Sequence, residues 1–444
     1  MSKLAAILET TNGYDDRSHL VQEGTSDDDL LVGQNQGNDF LFGRGGNDTL
    51  VASEDKGVNG GVPDENLQSD PGTNLNQVLG EQVGVTLAPG TNSVAAPGAT
   101  VANNPAVATS FNFIIGTPNS DNLEGTDGND IMADFGGNDV INGGKGDDLV
   151  FSGAGNDSLT GASGTDTLFG GEGSDRFVWN NGDGNDAIDG GVGHDISEIN
   201  GATDGDTLTL TQDDQGQAIL ERSNLKPFTV KSDGVEGVEV NGLASDDSFT
   251  VSDLSNTNIS SVRFRGGEGN DALQGNQSTA QLDASGDVGN DALQGGLVDD
   301  TLQGGEGDDI LSGFLGNDLL EGGAGLDQFV FGSSASFGQA NPGIDTIKDF
   351  NAQEDKIALS KTTFASLQSG EGDGFSQSSE FAIVGSEADV ANSDALIVAV
   401  RGSTSTSLFY NTNGSEVGLG VGAQFSTLEG VAGDLSANNF VLQA

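Results

Sequence analysis

The chain has 444 residues, a length that predicts more than one domain. Its 69 acidic and 15 basic residues give a formal net charge of −54, which excludes charge-driven binding to nucleic acid or to an anionic membrane surface. The absence of cysteine excludes disulfide bonds and zinc–thiolate sites, and no stretch approaches the roughly 18 apolar residues of a membrane span.

The N-terminal quarter carries a short repeat followed by a linker. Residues 1–23 form an N-terminal segment that lacks the long apolar core of a secretory signal. Residues 24–51 form a short repeat block, in which Gly33 is an additional residue between two repeats. The aspartates of this block that precede an apolar position are Asp29, Asp39 and Asp48. Residues 52–110 hold five of the eight prolines of the chain, which predicts a flexible linker.

Residues 111–198 are predicted to form the first long repeat block. Seven aspartates recur in it every nine residues: Asp121, Asp130, Asp139, Asp148, Asp157, Asp166 and Asp175. Each ends a glycine-rich hexad and precedes a triad with an apolar centre, as in GGKGDDLVF at residues 143–151. Two looser copies end at Asp186 and Asp195. The nonapeptide G-G-x-G-x-D-x-U-x is typical of a parallel β-solenoid wound around calcium.

The remaining residues predict an insert, a second repeat block and a C-terminal domain. Residues 199–265 alternate apolar and polar positions between turns, which predicts a β-rich insert. Residues 266–331 form the second block, which begins with Asp271 and is broken where Ala280 replaces the aspartate. Its strictly spaced aspartates are Asp291, Asp300, Asp309, Asp318 and Asp327. Residues 332–444 show further short apolar runs and predict a C-terminal β domain.

The spacing predicts a ligand as well as a fold. If two nonapeptides make one coil, stacked coils lie about 4.8 Å apart, and the glycines permit the positive φ angles of the turns. Turn carbonyls and sixth-position carboxylates from two stacked turns then surround one site. Sites of about six to eight oxygen ligands favour calcium, because magnesium loses its water reluctantly.

The calcium is expected to be structural. Residues 116–178 contain 12 acidic and 2 basic residues, a net charge of −10, and carboxylates about 5 Å apart repel by roughly 3 kcal/mol at an effective dielectric of about 20. Each nonapeptide buries one large apolar side chain, which contributes about 1.5 to 3 kcal/mol. Ordering nine residues costs on the order of 10 kcal/mol. We therefore expect that the metal-free block does not fold.

The predicted metal ligands are of three kinds, and no catalytic residue is predicted. The twelve strictly spaced carboxylates of the two long blocks are those named above. The glycines predicted to offer carbonyl oxygens are Gly144, Gly146, Gly153, Gly155, Gly171, Gly173, Gly305, Gly307, Gly323 and Gly325. The aspartates of less regular repeats form a secondary set: Asp29, Asp39, Asp48, Asp186, Asp195 and Asp271.

The nonapeptides resemble the RTX (repeats in toxin) hemolysin-type family of bacterial secreted proteins. The resemblance covers residues 116–195 and 266–330, with a fragment at 24–51. It implies a β-roll fold, export by a type I secretion exporter under an uncleaved C-terminal signal, and an extracellular or cell-surface location. Residues 345–357 resemble the cap that follows RTX blocks. Three segments are similar to the "bluetail" domain of cyanobacterial surface proteins: residues 408–414, 423–428 and 435–441.

The predicted fold class is all-β, with parallel β-solenoid (β-roll) blocks, a β-rich insert and a C-terminal β domain. The predicted function is a non-enzymatic, calcium-binding extracellular or cell-surface protein with a structural or adhesive role, and a surface polysaccharide or envelope layer as a further partner. Two alternatives stay open. One is a calcium-dependent module that binds glycans or a protein. The other is a hydrolase with its site in the insert or the C-terminal domain, where Asp246 and Asp247 are neighbouring carboxylates. The chain has no His-Glu-x-x-His or Gly-x-Ser-x-Gly motif and only two histidines, His19 and His194.

Overall fold

The computed structural model describes most of the chain from residue 112 onwards and five short strands before it. The described residues are 112–444 without 341–342, 414–415, 417 and 432–433, together with β1 (Leu20–Glu23), β2 (Leu30–Val32), β3 (Asp39–Phe42), β4 (Thr49–Val51) and β5 (Val58–Asn59). Asp29, Asp48 and most of the predicted linker lie outside the described residues. The chain divides into two compact units, residues 1–171 and 172–444.

The five N-terminal strands pair in parallel at a period of 19 residues. Leu20 of β1 lies opposite Asp39 of β3, and Leu30 of β2 lies opposite Thr49 of β4. The last pair joins β3 to β5 with the same offset. This period is one residue longer than two nonapeptides, and the additional Gly33 accounts for it in the first two pairs, whose spans contain residue 33.

Seven further strands of the first unit form two parallel sheets. They are β6 (Asn112–Ile115), β7 (Asn122–Thr126), β8 (Asp130–Ala133), β9 (Val140–Lys145), β10 (Leu149–Phe151), β11 (Ser158–Ser163) and β12 (Thr167–Gly173). The strand orders are β12-β10-β8-β6 and β11-β9-β7. Paired residues are 18 apart, as with Leu149 and Thr167 or Val140 and Ser158. Two nonapeptides therefore make one coil.

The second unit is also built on two sheets. Its strands are β13 (Arg176–Asn180), β14 (Asp186–Gly193), β15 (Ile196–Asn200), β16 (Thr207–Gln212), β17 (Ala218–Arg222), β18 (Phe228–Asp233), β19 (Gly237–Ala244), β20 (Ser248–Val251), β21 (Ser261–Glu268), β22 (Ala272–Gln274), β23 (Gln281–Val288), β24 (Ala292–Gln294), β25 (Thr301–Glu306), β26 (Ile310–Ser312), β27 (Leu319–Ala324), β28 (Gln328–Phe331), β29 (Asp345–Ile347), β30 (Lys356–Ser360), β31 (Gly372–Asp373), β32 (Phe381–Val384), β33 (Ile397–Arg401), β34 (Ser405–Tyr410), β35 (Gln424–Glu429) and β36 (Phe440–Gln443). One sheet has the order β14-β18-β17-β16-β20-β22-β24-β26-β28-β30-β36-β31, and the other has the order β13-β15-β19-β21-β23-β25-β27-β29-β35-β34-β33-β32.

The strands of residues 199–265 lie in the same two sheets as the repeats of the second unit. β15 pairs in parallel with β19, β19 with β21, and β16 with β20. β17 departs from this pattern, because it lies antiparallel between β16 and β18. The proposed insert thus adds a hairpin strand to coils that otherwise follow the parallel arrangement. The exact domain boundaries stay a prediction.

The C-terminal part of the second unit ends the coils with antiparallel pairing. β33 pairs antiparallel with β34 and β34 with β35, while β35 joins β29 in parallel. The helices described here are short: α1 (Phe337–Ala340), α2 (Glu387–Val390) and two 3-10 turns at Ser378–Glu380 and Ala437–Asn439. Phe337, Phe364, Tyr410 and Phe425 form an aromatic cluster with ring centroids 5.0 to 6.4 Å apart.

The core of the coils is a stack of the apolar residues at the centre of each triad. Val150 and Leu159 in the first unit and Leu302 and Leu311 in the second are fully buried. Alternation within these short strands points the central side chain inward and its neighbours outward. The predicted fold class, all-β with a parallel β-solenoid, is therefore confirmed. Within the described residues, no helix combines the length and the apolar character needed to cross a membrane.

Candidate metal centre

The sixth-position aspartates form a ladder along the turns. The backbone N–H of Asp130 donates to Oδ1 of Asp148 at 2.8 Å, and that of Asp148 donates to Oδ1 of Asp166 at 2.8 Å. The second unit repeats this arrangement, with Asp291 donating to Asp309 at 2.8 Å and Asp309 donating to Asp327 at 3.0 Å. Each carboxylate thus ties its own turn to the turn of the preceding coil through one oxygen.

The other oxygen of many of these carboxylates is buried without a hydrogen-bond donor. Among the described residues, Oδ2 atoms in this state belong to Asp134, Asp139, Asp148, Asp195, Asp247, Asp271, Asp291, Asp309 and Asp318. A buried charged oxygen without a partner is costly, because it has lost its water and gained nothing in exchange. Such a row of oxygens calls for protons or for cations.

The first-position glycines leave space where backbone and carboxylate oxygens converge. A Cβ on Gly143 would lie 2.6 Å from Oδ2 of Asp148 and 2.8 Å from the carbonyl oxygen of Gly161. A Cβ on Gly304 would lie 2.2 Å from Oδ2 of Asp309 and 2.5 Å from the carbonyl oxygen of Gly322. Any side chain at these positions would displace the oxygens. The turn is therefore a cradle lined by oxygen atoms.

The predicted carbonyl donors sit in the part of the turn that requires glycine. Gly144, Gly146, Gly153, Gly155, Gly171, Gly173, Gly305, Gly307, Gly323 and Gly325 all have φ between +90° and +147°. Stacked turns also approach closely there, since a Cβ on Gly323 would lie 2.1 Å from the carbonyl oxygen of Gly305. Positive φ and close stacking explain the glycines without any metal. Whether their carbonyls bind calcium stays a prediction.

Burial raises the pKa of these carboxyl groups. The pKa of Asp148 rises to about 8, and the pKa of both Asp291 and Asp327 rises to about 7. Loss of water is the largest cause, the backbone N–H of the ladder opposes it, and neighbouring carboxylates such as Asp166 and Asp130 raise the pKa of Asp148 further. Without a cation, these turns favour protonated carboxyls at a pH where exposed aspartate is charged.

The donor set of the turns fits calcium. Carboxylate and carbonyl oxygens, with no sulfur or imidazole among the residues above, are the ligands that hard divalent cations prefer. In the first unit, one carboxylate oxygen from each of Asp121, Asp134 and Asp139 lies within 4.8 Å of the others. The orphaned oxygens supply the negative charge for such an ion.

The predicted carboxylates are not all alike. Asp121 is half-buried, while the other eleven strictly spaced aspartates are buried, as are Asp186, Asp195 and Asp271. In Asp121, Asp130 and Asp300, Oδ2 accepts an N–H from the residue four positions earlier, at 2.5 to 2.7 Å. The described backbone places Asp39 at the start of β3.

The ladder contains aspartates that the nonapeptide spacing did not reveal. Asp206 donates its N–H to Oδ1 of Asp247, and Asp247 donates to Asp271, across 41 and 24 residues. At the far end, Asp318 donates to Asp345 and Asp327 to Asp355. The longer separations hide these members from a nine-residue search. A Gly-x-x-x-x-Asp hexad, as at residues 201–206, was the available signal.

A second ladder runs through the fifth position of the repeats, which the sequence pattern treats as variable. Oδ1 of Asn129 accepts the N–H of Asp147 at 3.0 Å, and Oδ1 of Asn290 accepts the N–H of Asp308 at 2.7 Å. Asp246 belongs to this ladder, since its Oδ1 accepts the N–H of Asn270 at 2.7 Å. Asp246 and Asp247 thus each hold a neighbouring coil, which gives no support to their use as a hydrolase pair.

One ladder aspartate has a cation supplied by the chain itself. Arg222 of β17 lies with its guanidinium 3.0 Å from Oδ1 of Asp206, and both side chains are at most 1% exposed. Nε–H and Nη2–H of Arg222 donate to the carbonyl oxygen of Lys226, and Nη1–H also donates to Oδ1 of Asn181 at 3.0 Å. The rings of Phe228 and Trp179 stack with their centroids 3.7 Å apart and lie beside the cation, 4.9 and 5.7 Å from Cζ. Arg222 therefore neutralises Asp206 in a fully enclosed position.

The repeats match a known family. The profile of the RTX calcium-binding nonapeptide repeat (4 copies) matches residues 23–56, 115–150, 143–177, 285–313 and 294–329. These segments are RTX calcium-binding repeats, as their resemblance predicts. The matches end at residue 329, so the similarity of the C-terminal segments to the bluetail domain stays a prediction.

Solved structures of other proteins also match this chain. The extracellular lipase LipA from Serratia marcescens is 17% identical, over 67% of this chain and 40% of its own chain, with a TM-score of 0.17. A similarity at that TM-score carries no argument about this chain. No curated protein matches the sequence.

Proposed function

We propose that the chain is a non-enzymatic, extracellular or cell-surface protein whose β-roll folds as its repeats bind calcium after type I secretion, and which serves a structural or adhesive role. The RTX repeats and the β-solenoid support calcium binding directly. The observation that carries the proposal is the row of buried Oδ2 atoms without a donor, which lie beside a first-position glycine except at Asp139.

The proposed ligands are the twelve strictly spaced aspartates and the carbonyl oxygens of the stacked glycine turns. Asp195, Asp247 and Asp271 join them, because their Oδ2 atoms are buried in the same way. Calcium, when bound, supplies the positive charge that these carboxylates otherwise lack. In Asp148 and Asp309, a backbone N–H of the ladder holds Oδ1 and so orients Oδ2 towards the cradle. Since the site requires two stacked turns, binding and folding are coupled.

The coupling suits a protein that works outside the cell. Extracellular calcium modules bind at about 10⁻⁴ to 10⁻³ M, so such sites fill after export. An unfolded chain inside the cell would pass a narrow exporter, and folding outside would oppose its return. A surface polysaccharide or envelope layer is the proposed partner of the folded protein. The alternative of a glycan- or protein-binding module stays a prediction.

Calcium-coupled folding is tested on the full chain. With a chelator we expect the repeats to lose β signal in far-ultraviolet circular dichroism and the protein to expand in small-angle scattering. Millimolar calcium should reverse both changes, and the same concentration of magnesium should not. Identical spectra and dimensions in the two conditions would contradict the proposal.

Export is tested separately, with a reporter that folds by itself. Residues 385–444, fused to the C-terminus of an unrelated protein, should carry it out of a strain with a matching type I exporter. The same fusion in a strain without the exporter, and a fusion to residues 1–23, are the controls. Export by residues 1–23 alone would overturn the proposed route without touching calcium binding.

A further inference from the structure

Asp134 stands where the repeat calls for glycine. It occupies the first position of the nonapeptide that contains Asp139, and the residues 18 positions before and after it are Gly116 and Ser152. Its side chain is buried, with 4% of its surface exposed. A charged side chain in place of a conformationally free residue, deep in a turn, requires a reason.

The carboxylate of Asp134 is held by one oxygen and points the other into the turn. The N–H of Phe135 donates to Oδ1 at 2.7 Å, while Oδ2 has no donor among the described residues. A Cβ on Gly116 would lie 2.1 Å from this Oδ2. The neighbouring coil therefore needs a glycine opposite Asp134, because any side chain at position 116 would overlap this oxygen.

Two ladder aspartates complete the cluster. The backbone N–H of Asp121 donates to Oδ1 of Asp139 at 2.8 Å. Oδ2 of Asp139 is also buried without a donor. One oxygen from each of these two and from Asp134 lies within 4.8 Å of the others. Three carboxylates thus meet at one turn.

No basic side chain of this region neutralises the cluster. Lys145 is the sole Lys or Arg between residues 112 and 171, and its ammonium lies 2.9 Å from Asp127 with 65% of the side chain exposed. Elsewhere in the chain, the buried Asp206 is neutralised by a side chain, that of Arg222. Residues 112–171 therefore supply no cation of their own to the cluster.

We propose that Asp121, Asp134 and Asp139 form a three-carboxylate calcium site that binds more tightly than the ordinary repeat sites and fills first in this unit. The proposal rests on the calcium-dependent function above and adds to it a ligand from outside the repeat consensus. Affinity in calcium sites rises with the number of charged ligands. Because repeat coils stabilise their neighbours, the first ion bound here would favour the coils that follow.

The test measures stepwise calcium affinity of the full chain by competition with a fluorescent chelator. Asp134→Asn keeps the shape and the acceptor for the N–H of Phe135 but removes the charge, and Asp134→Gly restores the repeat consensus. Each should weaken the tightest binding step by at least about tenfold, as expected for the loss of one charged ligand. The weaker steps and the total number of ions at saturation should stay the same. Asp127→Asn, which removes an exposed charge from the same block, should change the tightest step by less than about twofold.

The outcomes separate this site from the general proposal. If the wild type binds calcium but both Asp134 variants keep the tightest step, Asp134 is a protonated structural carboxyl and the inference is wrong. An equal effect of Asp127→Asn would also overturn it, since general charge would then explain the change. If the wild type binds no calcium, the proposed function itself fails and this site with it. Circular dichroism in saturating calcium checks that each variant is folded. If Asp134→Asn does not fold, Asp134→Gly alone tests whether Asp134 is a calcium ligand.

Discussion

Two regions of the second unit neutralise the same buried aspartate ladder in different ways. In residues 285–329, Asp291, Asp309 and Asp318 keep a buried Oδ2 without a donor. In residues 201–233, the equivalent Asp206 contacts Arg222 at 3.0 Å, and its Oδ2 accepts the N–H of Ala202 at 2.7 Å. The first region is therefore proposed to take its ion from solution, whereas the second has a cation in the chain itself, Arg222.

The region around Arg222 also buries more apolar side chains than the strict nonapeptides do. Each strict nonapeptide buries one large side chain, such as Leu302 or Leu311. The coils around Arg222 add a hairpin strand and bury further residues, which include Leu208, Leu220 and Phe228. We therefore expect that a coil with its own cation and a larger apolar core stays folded without calcium.

The largest effect is expected from removing the internal cation. Arg222→Ala leaves Asp206 buried and unpaired, which should destabilise the protein by about 3 to 5 kcal/mol. Because Arg222 does not depend on calcium, the loss should be equal with calcium and with chelator. Urea unfolding followed by the fluorescence of Trp179, the single tryptophan, measures it. The double variant Arg222→Met with Asp206→Asn should recover most of the stability. A loss of stability seen only in calcium-loaded protein would contradict the idea that Arg222 acts independently of calcium.

A smaller, calcium-dependent effect is expected from one ladder carboxylate of the second block. Asp309→Asn removes a charged ligand and should cost about 0.4 to 1.4 kcal/mol in millimolar calcium, the stabilisation from one site at about one to ten times its dissociation constant. Asp308→Asn is the matched control, because its side chain lies outside the cradle and the amide can still accept the N–H of Leu326. Unfolding in millimolar calcium should separate the two variants, and unfolding in chelator should not. Equal effects of both changes would show that Oδ2 of Asp309 is not a ligand.

The third expectation concerns pH. The pKa of Asp148 rises from 3.8 to about 8 and that of Asp291 from 3.8 to about 7 in the metal-free fold. Protonation therefore favours the fold, and its contribution is complete below pH 3.8 and is lost as pH rises through about 7 to 8. In calcium-free buffer, the β signal of the repeats should accordingly fall between pH 4 and pH 8, while in calcium it should rise or stay level, because the ion requires charged carboxylates. A calcium-free signal that grows with pH would contradict this account.

The strictly periodic parts of the site were predictable, and the irregular parts were not. Nine-residue spacing placed Asp148 and Asp309 in a coil of two nonapeptides, because an inward apolar residue and a glycine turn leave one arrangement for the carboxylate. The nine-residue spacing did not identify Asp206 and Asp247, because strands of other lengths separate them from their partners by 41 and 24 residues. Their neighbourhood shows strand alternation, which predicts β structure but not the sheet it joins.

Arg222 and Asp134 could not be assigned from the sequence for different reasons. Arg222 meets Asp206 through the antiparallel pairing of β16 with β17, and alternation alone does not determine which strand lies beside which. Asp134 fills a glycine position, so a repeat pattern treats it as a defect. Its buried, unpaired Oδ2 becomes visible only when Gly116 of the neighbouring coil is placed beside it.

The most direct test of the central claim is hydrogen exchange of the full chain, measured by mass spectrometry in calcium and in chelator at the same pH. The account predicts that peptides from residues 285–329 are protected in calcium and exchange freely in chelator. Peptides from β16, β17 and β18 should stay protected in both conditions, because Arg222 supplies their cation. Protection of residues 285–329 without calcium, or equal loss of protection in both regions, would contradict the account.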